Sequence, residues 1–224
     1  MFIAETFTSL QGEGMLAGVP SFFIRTSGCN LRCAWCDTPY ASWTPEGSRR
    51  SPSELAAGAA ASGCAHAVIT GGEPLLQREL PALAAALASA GLHVTVETAG
   101  TLAPRFACDL LSVSPKTSNS DPEGRFLQRH VTLRARLGPL VELLGRHPEH
   151  QLKFVVRGEE DVGEVLGLVE RLGAERRRVL LMPEGRTPGE VAAHAAAVAR
   201  LCLRHGLRYS PRLHLDLFGG GRGV

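Results

Sequence analysis

Three cysteines lie close together in the stretch CNLRCAWCDT, where Cys29, Cys33 and Cys36 have C-x3-C-x2-C spacing. Clustered thiols in a chain without an export signal indicate metal binding or catalysis rather than disulfide bonds. A structural zinc site needs four ligands, and an ordinary [4Fe–4S] cluster also takes four cysteines. The histidine nearest in sequence is the distant His66. A cube of four irons held by three thiolates would leave one iron open for a small molecule, and a non-enzymatic zinc or iron–sulfur module is the alternative.

The other three cysteines, Cys64, Cys108 and Cys202, are far apart in the sequence, beside or within predicted strands and a helix. A free cysteine in such a position usually behaves as a small buried hydrophobe. We therefore expect no fourth cysteine ligand.

A second motif, TGGEP, runs from Thr70 to Pro74 directly after a short β-branched segment. Paired glycines after a strand let a backbone with free N–H groups approach a ligand closely, although an isolated pair is more often a tight turn. The motif is not a dinucleotide fingerprint, because the G-x-G-x-x-G pattern is absent.

Strands and helices alternate along the chain and must position these motifs. Six short apolar strands are predicted, at 21–27, 66–70, 92–98, 109–114, 151–158 and 177–183. Helices are predicted between or after them, at 51–63, 75–91, in a short piece after 99–101, at 125–146, 159–173 and 187–206. The glycine-rich tail from Arg212 is not assigned to an element.

This alternation predicts an α/β fold with a parallel sheet covered by helices. Six strand–helix units are too few for a complete eightfold barrel of typically ~250 residues, so we expect an incomplete, open-sided parallel βα barrel in a single domain, residues 1–224. A flat doubly wound sheet is the alternative, which the hydrophobic pattern does not separate from the barrel.

Function in both architectures lies at the carboxyl ends of the strands. The unusual residues fall at that edge, including the only two lysines among 24 basic residues, Lys116 and Lys153. An ammonium at these two positions, where every other cation is a guanidinium, indicates a specific use unless both survive by chance.

Composition and charge exclude several classes of protein. Hydrophobic residues make up 44% and charged residues 21%, which is typical of a globular domain with a real core. A net charge of +2 does not argue for direct nucleic-acid binding. The start, MFIAETFTSLQGEG, has no signal-peptide pattern, and no stretch is apolar enough for a membrane span, so we expect a cytoplasmic protein.

The two motifs together resemble those of the radical S-adenosylmethionine (SAM) superfamily. Its C-x3-C-x-φ-C pattern, where φ is aromatic, matches Cys29, Cys33, Trp35 and Cys36, and its GGEP motif matches Gly71 to Pro74. The resemblance implies a [4Fe–4S] cluster whose open iron binds SAM, the fourth ligand that the spacing leaves unassigned. It also implies reductive cleavage of SAM to start a radical reaction.

The sequence further resembles the 7-carboxy-7-deazaguanine synthase (QueE) family over nearly its whole length. The matching segments are LQGEG, R-x-x-G-C-N-L-x-C, WCDT, TGGEP, ETAGT, SPK and LKFVV. The resemblance implies a lyase that converts 6-carboxy-5,6,7,8-tetrahydropterin to 7-carboxy-7-deazaguanine and ammonia by radical ring contraction, in queuosine or other deazapurine biosynthesis. It also implies assistance by Mg²⁺, a flavodoxin- or ferredoxin-type electron donor, and a homodimer.

Residue roles follow from the resemblance by position. It assigns the [4Fe–4S] cluster to Cys29, Cys33 and Cys36. It assigns substrate contacts to Leu10, Gln11, Gly12, Glu13, Arg25 and Thr70. It assigns SAM contacts to Trp35, Cys36, Asp37, Gly72, Glu97, Ser114, Pro115 and Lys116. Thr38 matches the Mg²⁺ ligand, although by itself it would be taken for a loop hydroxyl. Lys153 is either a site residue or a far-face lysine that holds a structural carboxylate.

Two departures from the superfamily pattern and one rival function complete these expectations. Ala99 stands where many members have an asparagine for the SAM ribose, so Glu97 must work with other donors. Some family members end in a proline whose carboxylate reaches the substrate, a contact that is not expected from Val224. The nearest rival is an activase that makes a glycyl radical on a partner protein, which would not need LQGEG before the first strand.

Overall fold

A nine-stranded sheet forms the centre of the computed structural model, which describes residues 1–223; Val224 and its expected lack of a substrate contact lie outside the described residues. The strands are β1 (Phe2–Leu10), β2 (Pro20–Thr26), β3 (Ser48–Arg49), β4 (His66–Gly71), β5 (His93–Thr98), β6 (Leu110–Val113), β7 (His150–Val156), β8 (Val179–Pro183) and β9 (Arg208–Tyr209). The helices are α1 (Pro39–Ser42), α2 (Pro52–Ala61), α3 (Leu80–Ser89), α4 (Leu127–Arg134), α5 (Leu137–Arg146), α6 (Glu159–Leu172), α7 (Pro188–His205) and α8 (Leu213–Phe218).

The strand order is β3-β1-β2-β4-β5-β6-β7-β8-β9. All six predicted strands are present, and they pair in parallel from β2 through β8, with β9 continuing the parallel edge. Within residues 1–223, β3 and β9 do not pair with each other, so the sheet is open rather than closed. The predicted open-sided parallel α/β fold is therefore confirmed.

The two faces of the sheet have different environments because side chains alternate along each strand. Ile69, Val96 and Leu111 belong to the apolar core, which the helices complete. Their neighbours Thr70 and Glu97 instead line a cavity on the inner face. Polar side chains from consecutive strands therefore face one common cavity, as they do in a barrel.

Helix ends follow local sequence signals. Ser51 caps α2 through a capping box with Glu54, as expected from serine before proline. The second predicted helix begins later than expected, at Leu80 rather than residue 75, because Pro81 can occupy only its first turn. Pro74–Leu76 form a 3₁₀ turn instead, which ends at Gln77.

Other features also differ from the sequence-based expectation. The N-terminal segment, which was not assigned, forms the long strand β1 antiparallel to β2, and the short strands β3 and β9 bring the total to nine. The short helix expected after residues 99–101 is wrong, because the chain is irregular up to Asp109. Pro104 disfavours helix in the residue before it, and Arg146 of α5 donates to the carbonyls of Ala103 and Pro104.

The tail from Arg212 contains α8, which lies against the start of the chain through the hydrogen bond from Leu213 N to Gly12 O, 2.9 Å. None of the helices described within residues 1–223 is both long and apolar enough to cross a membrane.

Candidate active site

One cavity of about 270 Å³ opens at the carboxyl ends of the parallel strands. All but one of the residues selected from the sequence line it. They are Leu10, Gln11, Gly12, Glu13, Arg25, Cys29, Cys33, Trp35, Cys36, Asp37, Thr38, Thr70, Gly72, Glu97, Ser114, Lys116 and Lys153. The exception is Pro115, a buried residue between two lining positions.

The loop after β2 brings the three clustered cysteines to one side of this cavity. Leu31 N–H donates to Cys29 Sγ at 3.4 Å, and Cys36 Sγ lies 3.0 Å from the Ser42 hydroxyl. Burial raises the pKa of the Cys29 thiol to about 12 and that of Cys33 to about 11. As free thiols they would be protonated at neutral pH, so a bound metal would have to displace the protons.

The donor set fits an iron–sulfur cube better than a single ion. Within residues 1–223, no three His, Cys, Asp or Glu side chains converge closely enough to hold one metal ion. A [4Fe–4S] cube binds each cysteine through a different iron, so its ligands need not meet at a point. Cys29, Cys33 and Cys36 therefore suit such a cube, and backbone and hydroxyl groups are in place to hydrogen-bond two of the sulfurs.

The GGEP loop packs directly on the backbone of the cysteine loop. A Cβ on Gly72 would lie 2.2 Å from Gly28 O and 2.4 Å from Ala41 O. Gly71 has φ +123°, and its missing Cβ points at Thr26 O, 2.2 Å away. The glycines are thus required by close contact with the backbone of β2 and of the cysteine loop, and both also line the cavity.

Glu73 fixes the next strand to this loop. Its fully buried carboxylate accepts hydrogen bonds from the Thr98 hydroxyl (2.7 Å), Leu75 N (3.1 Å) and Ala99 N (2.9 Å). Burial raises the pKa of Glu73, and these three donors act against that rise. Ala99 stands where many superfamily members have an asparagine. Its backbone N–H donates to the Glu73 carboxylate and so helps to hold the GGEP loop.

Lys116 and Trp35 form the wall beside the cysteines. The Lys116 ammonium lies 5.1 Å from the centre of the Trp35 ring and donates to Ser114 Oγ at 2.8 Å. The indole N–H of Trp35 donates to Asn119 Oδ1 at 3.3 Å. An aromatic face with an adjacent cation can stack on a planar base while the ammonium binds an anionic group.

Polar side chains from β4, β5 and the residue that follows β1 surround the other part of the cavity. Glu97 accepts from Gln11 Nε2 (3.1 Å) with one oxygen and from the Thr70 hydroxyl (2.7 Å) with the other. Gln11 Oε1 accepts from Glu13 N at 3.1 Å. The structure thus places Glu97, which was assigned to SAM by resemblance, in direct contact with two residues assigned to the substrate.

Arg25 is held by an acidic partner that the sequence analysis missed. Its Nε donates to Glu5 Oε1 at 2.7 Å, and the Tyr40 hydroxyl donates to the same oxygen at 2.7 Å. Burial raises the pKa of Tyr40 to about 12, so the phenol remains a neutral donor. The stacked rings of Phe7 and Phe23 are 4.9 Å apart, and the guanidinium lies over Phe7.

A buried charge network joins the two ends of the cavity through the C-terminal segment. Glu13 pairs with Lys153 and with Arg212, whose Nε is 3.2 Å from Glu13 Oε1. Arg212 also pairs with Asp37, next to Cys36. Burial favours the neutral acid, but the adjacent cations hold the pKa of Glu13 well below its ordinary value. Lys153 therefore lies in the cavity wall rather than on the far face.

Several lining residues had no recognisable sequence signal. Phe7 lies on the unassigned strand β1, and Arg212, His214 and Arg222 lie in the unassigned tail. Glu5, which holds Arg25 from behind the lining, is also on β1. The Arg222 guanidinium lies 3.8 Å from the centre of the Tyr40 ring. An isolated arginine or histidine near a chain end carries no periodicity or spacing, so only the folded chain reveals these positions.

The radical SAM superfamily model matches residues 23–137 of this chain. The chain is 42% identical to the 7-carboxy-7-deazaguanine synthase of Rhodopirellula baltica, covering 100% of this chain and 89% of that protein. It is 43% identical to the Halobacterium salinarum protein of the same name, covering 96% and 90%. The crystal structure of QueE from Escherichia coli superposes with a TM-score of 0.70 at 27% identity, covering 93% of this chain and 92% of that one.

These matches extend over both loops that form the cavity. The relatives at 42% and 43% identity align with nearly all of the chain, and the superfamily match includes the cysteine and GGEP loops. The chain therefore belongs to the radical SAM superfamily and, within it, to the 7-carboxy-7-deazaguanine synthase family.

Proposed function

We propose that this chain is a radical SAM lyase that converts 6-carboxy-5,6,7,8-tetrahydropterin to 7-carboxy-7-deazaguanine and ammonia. The observation that carries the proposal is one cavity lined by three cysteines together with Arg25 and the polar side chains Gln11, Thr70 and Glu97. Membership in the synthase family over the full chain supports it. The same membership disfavours the glycyl-radical activase, since the matched relatives carry the synthase name.

The cluster and SAM are the cofactors that the superfamily implies. Cys29, Cys33 and Cys36 would hold the cluster, and Trp35 with Lys116 would contact SAM beside it. When bound, the two cofactors supply the one-electron chemistry that starts the rearrangement. The protein then has to orient the pterin, exclude water and keep the neighbouring acids in fixed protonation states.

Arg25 would bind the pterin carboxylate. Its Nε is occupied by Glu5, which leaves both terminal amino groups of the guanidinium for a bidentate contact. Gln11, Thr70 and Glu97 would bind the pterin edge, because together they offer both donors and acceptors. Their existing hydrogen bonds to one another preorganise this edge before substrate arrives.

Thr38 would bind Mg²⁺ together with substrate oxygens and water. Thr38 precedes α1 as its N-cap residue, yet its side chain makes no capping hydrogen bond. The hydroxyl lines the cavity and lies 3.9 Å from Cys36 Sγ. One neutral oxygen is a weak ligand, and Mg²⁺ retains waters readily, so the ion would bind firmly only when the substrate completes its shell.

The remaining assignments also rest on the family. They are a flavodoxin- or ferredoxin-type electron donor, a homodimer, a single domain and action in the cytoplasm on a small molecule rather than on nucleic acid. The product would enter queuosine or another deazapurine pathway.

The decisive experiment is anaerobic turnover. Protein reconstituted with iron and sulfide is reduced and incubated with SAM and 6-carboxytetrahydropterin, and 7-carboxy-7-deazaguanine is sought by mass spectrometry. Cys33→Ala, which removes one cluster ligand, is the control and should give no product. A fully loaded, reduced wild type that binds SAM but forms no deazapurine would overturn the proposed reaction.

A further inference from the structure

A buried histidine on α4 contacts the cysteine loop from outside the candidate active site. The side chain of His130 is 1% exposed, and its Nδ1 accepts the backbone N–H of Arg32 at 3.1 Å. Arg32 directly precedes Cys33. His130 and Cys29 also line a small cavity of about 50 Å³ beside this loop. The ring therefore holds the peptide that leads into one of the three cluster ligands.

The contacts of the His130 ring define its tautomer. A backbone N–H can only donate, so Nδ1 is the unprotonated acceptor, and Nε2 carries the hydrogen of the neutral ring. Nε2 lies 3.0 Å from Ser120 Oγ, which donates its own hydrogen to Thr117 O at 2.6 Å. Asp121 is farther from Nε2, at 3.6 Å, and is paired with Arg134. His130 therefore accepts from the cysteine loop with one nitrogen and donates to Ser120 with the other.

Ser120 holds the chain on the other side of Cys33. The backbone N–H of Ala34 donates to Ser120 O at 3.0 Å. The two amides that flank Cys33 are therefore bound by His130 and Ser120, which are hydrogen-bonded to each other. The position of Cys33 depends on this pair.

Both flanking amides donate away from the sulfurs of the loop. Leu31 N–H, by contrast, donates to Cys29 Sγ at 3.4 Å. A hydrogen bond to a cluster sulfur stabilises the more negative, reduced form and so raises the reduction potential of the cluster. The Arg32 amide is committed to His130 and does not contribute to that effect. This arrangement favours a low potential, and reduction of a sulfonium such as SAM needs a strongly reducing cluster.

We propose that His130 is a positioning residue for the cluster. It fixes the peptide that leads into Cys33 and keeps the Arg32 amide from donating to a cluster sulfur, which holds the reduction potential of the cluster low. The proposal rests on the proposed function, because it concerns the [4Fe–4S] cluster assigned there to the three cysteines. His130 does not line the cavity assigned to SAM and the pterin, so it acts through Arg32 and Ser120 rather than by contact with the reacting groups.

The test compares three variants with wild type. His130→Leu removes the acceptor, whereas His130→Asn keeps an acceptor oxygen close to the position of Nδ1. His147→Leu is the matched control, because His147 is a buried histidine at the end of α5 that lines neither cavity. Each protein is reconstituted with iron and sulfide, and iron is counted per chain. The midpoint potential is then measured by redox titration without SAM or pterin, with the EPR spectrum of the reduced cluster as the signal.

The cluster of His130→Leu should be about ten-fold easier to reduce, a positive shift of about 59 mV for one electron, because the released Arg32 amide gains access to a sulfur. Its reduced-cluster EPR spectrum should change as well. His130→Asn and His147→Leu should keep the wild-type potential and spectrum.

An unchanged potential in fully loaded His130→Leu, or an equal shift in His147→Leu, would overturn the proposal. If His130→Leu takes up no iron, His130→Asn decides the matter. Full loading with the wild-type potential in that variant supports the positioning role, and a shifted potential or loss of the cluster contradicts it.

The same proteins separate this proposal from the proposed function. The potentials need neither SAM nor pterin, so they are read whether or not the pterin reacts. A loaded wild type that forms no deazapurine would overturn the proposed reaction, while the potentials of the His130 variants still decide the positioning role.

Discussion

Replacing Arg25 with lysine keeps a positive charge in the cavity but removes its planar, two-pronged donor. In the structure, one side of the guanidinium is used by Glu5 through Nε, at 2.7 Å. The terminal amino groups are left for the substrate carboxylate. A lysine ammonium is a single point of charge, so it can satisfy Glu5 or the substrate but cannot hold both in one plane.

The size of the effect follows from the contacts that are lost. One charge-assisted hydrogen bond contributes roughly 1.5–3 kcal/mol, which corresponds to about one to two decades in kcat/KM for the pterin. The Arg25 side chain is only 16% exposed, so water compensates poorly for the missing contact. Within residues 1–223, the Arg25 side chain makes no hydrogen bond to a residue assigned to SAM. SAM binding should therefore not change.

The assay is the initial rate against pterin concentration at saturating SAM, with SAM binding followed separately. Glu5→Gln is the matched control, since it leaves the guanidinium intact and removes only the charge that orients it. That variant should lose less activity than Arg25→Lys. Normal turnover by Arg25→Lys would refute the bidentate contact, and equal losses in pterin and SAM binding would indicate general damage to the cavity.

Four further outcomes are expected. Alanine at Cys29, Cys33 or Cys36 should abolish iron and sulfide uptake. Alanine at Cys64, Cys108 or Cys202 should not. Thr38→Val should keep cluster and SAM but lose Mg²⁺ stimulation, and wild type should bind Mg²⁺ and pterin with mutual enhancement by the same factor; identical Mg²⁺ responses would place the ion elsewhere. Gly72→Ala should disrupt the loops and lose the cluster, because its Cβ would lie 2.2 Å from Gly28 O, whereas Gly58→Ala inside α2 should unfold no more easily than wild type. Glu13 has a lowered folded-state pKa, so its contribution to stability is complete above its ordinary value of 4.5 and is lost as pH falls through the folded value; acid denaturation of Glu13→Gln should lack that part of the pH dependence.

The sequence by itself determined the features that depend on local spacing. Cysteines within one short loop, a glycine pair after a strand, and alternating apolar strands and helices are all encoded over a few consecutive residues. They were sufficient to predict the parallel open sheet, the edge at which the site lies and the three-cysteine cluster loop. The resemblance of these segments to known motifs then added expected roles for individual residues.

Local patterns were incomplete or wrong where distant contacts dominated. The glycine pair left open whether a ligand or a turn required it, and the structure adds a requirement that the sequence did not show, since the carbonyls of Gly28 and Ala41 fill the space beside Gly72. The segment after residues 99–101 suggested a helix, but Pro104 and the side chain of Arg146 favour an irregular path. Gly28, Ala41 and Arg146 each lie more than 30 residues from the segment they affect, beyond the reach of a local sequence window.

Only the tertiary structure decided how the charges of the cavity are paired. Arg212 and Glu13 are separated by 199 positions, and Glu5 meets Arg25 only because β1 pairs antiparallel with β2. A buried ion pair is stable only when both partners and their remaining hydrogen bonds are brought together, because each charge alone pays a large desolvation cost. That requirement is met by the folding of the whole chain, so neither Arg212 nor Glu5 carries a sign of its role in the sequence around it.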